Sequence, residues 1–212
     1  MNQPNSNLQW LTWAQKLQAI AQNGLFYSEN PFDHDRYRQI QQVAAEIIAT
    51  YAEIKFDAVL NLFEQETGYA TPKVDVRGAV FQNDRILLVK ERIDGGWTLP
   101  GGWVDVGEPP SLAIEREIFE ESGYQTKAVK ALMVVDRDHP RHEHPPLPVQ
   151  IYKLFFLCEL LGGTATESNE TDGVDFFAED EIPPLSLSRV VPSQITRLFE
   201  HYRHPDLPTD FD

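Results

Sequence analysis

The stretch GWVDVGEPPSLAIEREIFEESGY, residues 102–124, decides the reading of the chain. Its second half, from Ser111 to Ser122, has helical composition and stops at Gly123, a residue suited to a helix C-terminus. Glu117, Glu120 and Glu121 stand at i, i+3 and i+4 and therefore share one helix face. At about 100° per residue the three lie within an arc of about 100°. Phe119 and Leu112 fall on the opposite side and are expected to pack onto a sheet. Like charges at this spacing repel, so three carboxylates on one face imply a cation between them. Hard oxygen donors select Mg²⁺ or Mn²⁺ rather than zinc. A solvated acidic face is the competing reading for EREIFEE (115–121) taken alone.

The flanks strengthen the cation reading. Leu99-Pro100-Gly101-Gly102 precedes the helix, and glycine lets backbone approach a ligand closely. Beyond it, VDVRGAVF (74–81) and RILLVKER (85–92) read as two strands around an Asn83-Asp84 hairpin turn. AVKALMVV (128–135), VQIYKLFFLCEL (149–160) and VDFF (174–177) are further strands, and Ser193 to Tyr202 is a closing helix. Strands, then a helix, then strands give an α/β class of the α+β or mixed-sandwich type, not a doubly wound sheet. HPRHEHPPLP (139–148) is an extended loop, and the tail from His204 is irregular.

Residues 1–70 read as a separate helical domain, with 71–212 as the second domain. Trp10, Trp13, Leu17, Ile20 and Ala21 recur at helical spacing, with Asn23-Gly24 placed as a C-cap. Pro31 and a candidate N-cap at Asp33 introduce a second helix through Tyr37, Ile40, Ala44, Ile47, Ile48 and Tyr51. A shorter helix from about Asp57 follows, and GYATP (68–72) marks the boundary.

The 212 residues carry 18 Lys+Arg against 33 Asp+Glu, a net charge of −15. That surface disfavours nucleic acid and anionic membranes as partners. The lone Cys158 excludes an intrachain disulfide framework and reads as a buried filler. No apolar run reaches membrane-spanning length, and the N-terminus lacks signal-peptide features, so a cytoplasmic location is expected.

From Gly102 to Tyr124 the chain reads G, five residues, E, seven residues, R-E, Ile, one residue, E-E, one residue, G and Tyr. In this pattern it resembles the Nudix hydrolase family, position for position. The N-terminal helices, VRGAVF, WTLPGGWVDVGE, NETDGVDFF and IPPLSLSR are similar to a bacterial subgroup with a helical extension. That subgroup acts on nucleoside diphosphates linked to a moiety X, such as ADP-ribose or CDP-choline. The resemblance implies an α/β/α sandwich around a mixed sheet. It implies that the Gly102 carbonyl, Glu117, Glu120 and Glu121 hold Mg²⁺, with Arg116 orienting the carboxylates and Glu108 fixing the loop. For Arg116 an ordinary i, i+4 pair with Glu120 is compatible with that role.

Water would attack phosphorus, giving a nucleoside monophosphate and X-phosphate. Glu121 and Glu170 are the candidate general bases, with Glu167, Asp172 and Asp175 as rivals to Glu170. Arg77, Arg92 and Trp97 are candidate substrate contacts. For Arg77 the alternative is a surface strand residue, and for Trp97 it is a core position. His139, His142 and His144 are read as part of the loop rather than a zinc site, because no cysteine accompanies them. The helical extension is expected to cover its apolar face by packing or as a homodimer interface. A ligand sensor that does not hydrolyse, or a hydrolase of RNA ends, are the alternatives.

Overall fold

The computed structural model describes residues 9–212 and separates into two compact units. One is the segment ending at Pro72 together with Pro146–Gln150; the other comprises Lys73–Pro145 and Ile151–Asp212.

The helical unit holds α1 (Gln9–Tyr27), α2 (Pro31–Tyr51) and α3 (Phe56–Gln65). Leu11, Ala14, Ala44, Ala45, Ile48, Val59 and Phe63 form its core. Two sequence expectations are corrected here. Asn30, not Asp33, caps α2: its side chain accepts from the Phe32 amide, and Asp33 sits in the first turn. Gly24 does not end α1 but lies inside it. A Cβ there would stand 2.3 Å from the Tyr37 ring, so the glycine serves close helix packing. Trp13 and Ile20 point away from this core, 60% and 55% exposed, and so belong to a second apolar face.

The second unit is built on a mixed sheet of seven strands: β1 (Lys73–Gln82), β2 (Arg85–Glu91), β3 (Trp97–Thr98), β4 (Tyr124–Asp136), β5 (Ile151–Gly163), β6 (Thr171–Phe177) and β7 (Asp210–Phe211). Their order is β3-β2-β1-β5-β4-β7, with β6 on β2. β1 runs parallel to β5 and β7 to β4, while the other pairs are antiparallel. Asn83 and Asp84 both adopt positive φ, the two-residue turn whose twist suits the β1–β2 hairpin.

Residues alternate along β1 and β2. Val76, Val80 and Leu87 meet α4 (Pro110–Ser122), while Ala79, Ile86 and Leu88 meet α5 (Pro192–Arg203) on the other face. This is an α/β/α sandwich, with Cys158 in the α4-side core. β3 and β7, two residues each, are absent from the sequence reading because so short a run carries no period. Among the described residues no helix is long and apolar enough to cross a membrane.

The expected orientation of α4 is also corrected. Leu112 and Phe119 are exposed, and the sheet-facing side is Ala113, Ile114, Ile118, Glu121 and Ser122. Ile114 and Ile118 fill the space over Gly78, where any Cβ would collide with Ile118. Packing those isoleucines carries Glu121, on the same arc, into the interior.

Candidate active site

The strip Leu99–Gly102 is laid against β1. Gly78 N–H donates to Pro100 O at 2.9 Å, Val76 N–H to Gly102 O at 2.9 Å and Val104 N–H to Val74 O at 3.1 Å. Gly101 has φ +143° and passes so close to Val76 O that a Cβ would lie 2.0 Å from it. The chain at this point admits only glycine. The strip meets α4 at two places. Gly101 N–H donates to Glu121 Oε2 at 2.8 Å, and the Glu117 carboxylate lies against Gly102, 3.0 Å from where a Cβ would be.

The three glutamates are graded in depth. Glu121 is 6% exposed, while the side chains of Glu117 and Glu120 are 14% and 56% exposed. Burial pushes the Glu121 carboxyl up to about 8, against the pull of Arg77 and the Gly101 amide, with Glu117 and Glu91 adding to the rise. Burial raises Glu117 too, opposed by Arg116. A buried carboxylate with one amide donor favours a divalent cation, because in its ionised form only a nearby positive charge offsets its desolvation. The donor set is all hard oxygen, which fits Mg²⁺ or Mn²⁺. The Gly102 carbonyl, with one lone pair on Val76 N–H, keeps a second.

Arg116 ties these groups together. Its Nε and Nη2 donate to both Glu108 oxygens at 3.0 and 2.9 Å, and Nη1 reaches Glu117 at 2.9 Å and Glu120 at 3.0 Å. Both readings of Arg116, an i, i+4 partner of Glu120 and an orienting group, describe this one geometry. The forked bond to Arg116 holds the Glu108 carboxyl below its ordinary range.

Glu170 stands on the exposed loop before β6. The loop is fastened to the end of α4: Thr166 N–H donates to Ser122 O at 2.9 Å and Thr171 Oγ1 to Glu121 O at 2.8 Å. Arg92 N–H donates to Glu170 O at 2.9 Å, and the Arg92 side chain reaches Ser168 O at 3.3 Å and Glu167 at 3.7 Å. Arg92 is thus at the rim beside Glu170.

Two expectations about substrate contacts are corrected. Arg77 is buried and its guanidinium is spent on Asp75, at 3.0 and 2.7 Å, and on Leu99 O at 3.2 Å. Lys153, opposite Asp75 on β5, completes the cluster at 2.6 Å. Arg77 therefore acts on Glu121 and Glu91 through its charge and does not face a substrate phosphate. Trp97 is half-buried, edge-on to Phe177 at 4.7 Å and against Gly173, so it packs the core.

One pair was missed. Glu91, at the end of β2, is buried, and its carboxylate receives Arg189 Nε at 2.8 Å. Burial raises its pKa, Arg189 and Arg77 lower it, and Asp94 and Glu170 lie within electrostatic reach. A lone acid ending a strand gives no local signal, and Arg189 lies 98 positions further along the chain.

Comparison with known proteins agrees with this geometry. Residues 57–199 match the profile of the NUDIX domain, and residues 8–63 that described as a UDP-X-like, N-terminal oligomerisation domain. YjhB of Bacillus subtilis (strain 168), named as a candidate ADP-ribose pyrophosphatase, is 44% identical over 96% of this chain and 97% of its own length. The crystal structure of an ADP-ribose pyrophosphatase from Streptococcus suis superposes with TM-score 0.61 at 38% identity, covering 67% of this chain and all of that one. That of a UDP-X diphosphatase gives TM-score 0.63 at 30% identity, covering 97% and 99%. With the glutamate helix, the glycine strip and the α/β/α sandwich in place, the chain belongs to the Nudix hydrolase family.

Proposed function

We propose that this enzyme hydrolyses the pyrophosphate bond of a nucleoside diphosphate linked to a second moiety X, with Mg²⁺ or Mn²⁺ as cofactor. The observation that carries the reading is the convergence of Glu117 and the buried Glu121 on Gly101-Gly102, with Glu120 joined to Glu117 through Arg116. When bound, the metal polarises a phosphoryl oxygen, activates water and neutralises the leaving phosphate. Glu117, Glu120, Glu121 and the free lone pair of Gly102 O would hold it. Arg116 keeps Glu117 and Glu120 in place while Glu108 anchors the guanidinium. Water oxygen joins phosphorus, the anhydride P–O bond breaks, and the products are a nucleoside monophosphate and X-phosphate. The water proton passes to Glu121 or Glu170; Glu170, exposed on a loop fastened to α4, is the base free of the metal-binding role.

ADP-ribose is the first substrate to try, supported by the names of the relatives from Bacillus and Streptococcus. UDP-linked compounds follow from the UDP-X diphosphatase, and CDP-choline from the subgroup resemblance. The outward apolar face of α1, with Trp13 and Ile20, supports a homodimer, as does the oligomerisation description matched by residues 8–63.

The test is a panel of ADP-ribose, CDP-choline and UDP-sugars, reading released phosphomonoesters with and without Mg²⁺. Turnover is expected only with metal. Glu120→Gln is expected to lower it beyond the roughly 10–100-fold cost of losing a group that only orients a metal ligand. A ligand that binds and survives intact with Mg²⁺ would favour the sensor reading.

A further inference from the structure

The loop after β4 carries two histidines, and the fold brings them a third ligand from far along the sequence. β7 runs parallel to β4, with Asp210 opposite Met133 and Phe211 opposite Val134, and this sets Asp212 beside the loop. His142 Nε2 lies 3.2 and 3.3 Å from the two Asp212 carboxylate oxygens, and His139 Nδ1 lies 3.8 Å from Oδ1. One donor atom from each residue falls within 4.8 Å of the others. A turn closed by His142 N–H on His139 O, 2.9 Å, puts both imidazoles on one side of the loop. The Asp136 N–H donates to Asp212 Oδ2 at 2.7 Å and fixes the carboxylate. A cavity of about 330 Å³ opens beside the cluster, lined by His142, Asp212, Arg141, Ser193 and Gln194 among others.

We propose that His139, His142 and Asp212 bind a borderline divalent cation of the Zn²⁺, Ni²⁺ or Co²⁺ type. Two imidazoles and a carboxylate select these ions over Mg²⁺, and three protein ligands leave a fourth position for water from the cavity. The site is chemically separate from the all-oxygen glutamate cluster. The third histidine of the loop is not part of it: His144 is buried, with Nδ1 2.8 Å from Leu187 O and Nε2 3.1 Å from Gln194 Nε2.

Arg141 bonds to the same ligand atoms. Its Nη2 is 3.1 Å from Asp212 Oδ1, and its amide and Nε both donate to His139 Nδ1, at 3.3 and 3.4 Å. The lone pair a metal needs is therefore already turned towards the cluster. The Arg141 side chain is exposed and can leave for water. Bound metal and guanidinium are alternatives, and the metal would fasten the loop to β7.

The experiment uses the untagged full chain, stripped of metal, titrated with Zn²⁺ by calorimetry and with Co²⁺ by visible absorption. One Zn²⁺ per chain is expected to survive both excess Mg²⁺ and Glu120→Gln. Affinity is expected to fall in His142→Ala and in Asp212→Asn by more than the roughly 10–100-fold cost of losing a group that only orients a ligand, and to rise severalfold in Arg141→Gln. Arg141 is on the surface, so its substitution tests the site without threatening the fold. Absence of saturable Zn²⁺ binding, or binding indifferent to His142→Ala and Arg141→Gln, would overturn the proposal. So would binding abolished by Glu120→Gln, which would assign the Zn²⁺ to the glutamates.

Discussion

Helices α4 and α1 break the amphipathic rule in the same direction but for different partners. α4 turns a carboxylate, Glu121, into its buried side and leaves Leu112 and Phe119 in water. α1 buries Gln18 and Gln22 and leaves Trp13 and Ile20 in water. Each inversion is costly to the isolated chain, and each cost disappears with a particular partner. For α4 the partner is a cation, because a buried carboxylate is stable only when protonated or paired with opposite charge. For α1 it is apolar surface, which the proposed homodimer would take from a second copy. Local rules that fail therefore point to what binds where.

The largest effect that tests this contrast is on α4. Glu121 in the metal-free protein has its carboxyl raised from 4.5 to about 8. The folded state thus holds a proton that the unfolded chain has released. The stability so gained is complete below pH 4.5 and is lost as pH rises through about 8. At about 1.4 kcal/mol per pKa unit, the loss is on the order of several kcal/mol. Lys153 and His144, lowered by burial to about 7 and about 3, act with the opposite sign. The difference between wild type and Glu121→Gln isolates the carboxylate from them. Metal-free protein is expected to lose melting temperature, relative to Glu121→Gln, between pH 6 and 8. Mg²⁺ or Mn²⁺ should restore more at pH 8 than at pH 6. A pH-independent difference would break the argument for α4.

These two inversions also divide what was legible in the sequence from what was not. The glutamates, Arg116 and Gly123 are specified by spacing along one helix, while Gly102 reaches them only because its strip is laid against β1. The face of α4 opposite the carboxylates, with Leu112 and Phe119, reads in the sequence as the sheet-facing side. Ile114 and Ile118, at the margin of the carboxylate arc, decide otherwise. Arg77 on its strand looked free because its partners, Lys153 on β5 and the Leu99 carbonyl, are distant in sequence. The same distance hides Glu91 with Arg189 and both histidines with Asp212. Local pattern gives elements and their faces; ion pairs across the sheet appear only once the register is known.

The remaining tests address α1. Replacing Trp13 and Ile20 together by serine removes apolar surface without touching the three-helix core, to which neither belongs. The expected result is a lower mass by sedimentation at micromolar concentration, with the melting temperature of the monomer little changed. An unchanged mass would move the interface elsewhere.

A smaller effect separates the inner face of α1 from the outer. Gly24→Ala gains helix propensity, by about 1 kcal/mol, and on that ground alone would stabilise. The added methyl, however, would stand 2.3 Å from Tyr37 Cε1 and Cζ, closer than any real contact, so the ring must move or the helices part. Overpacking of this kind costs about 1–3 kcal/mol, which exceeds the propensity gain over most of its range. The expected outcome is a fall of a few degrees in melting temperature, cancelled when Tyr37→Ala is added. If Gly24→Ala alone raised the melting temperature, the glycine would not be there for packing, and its reading as a mere helix terminator would have to be revived despite the three helical residues that follow it.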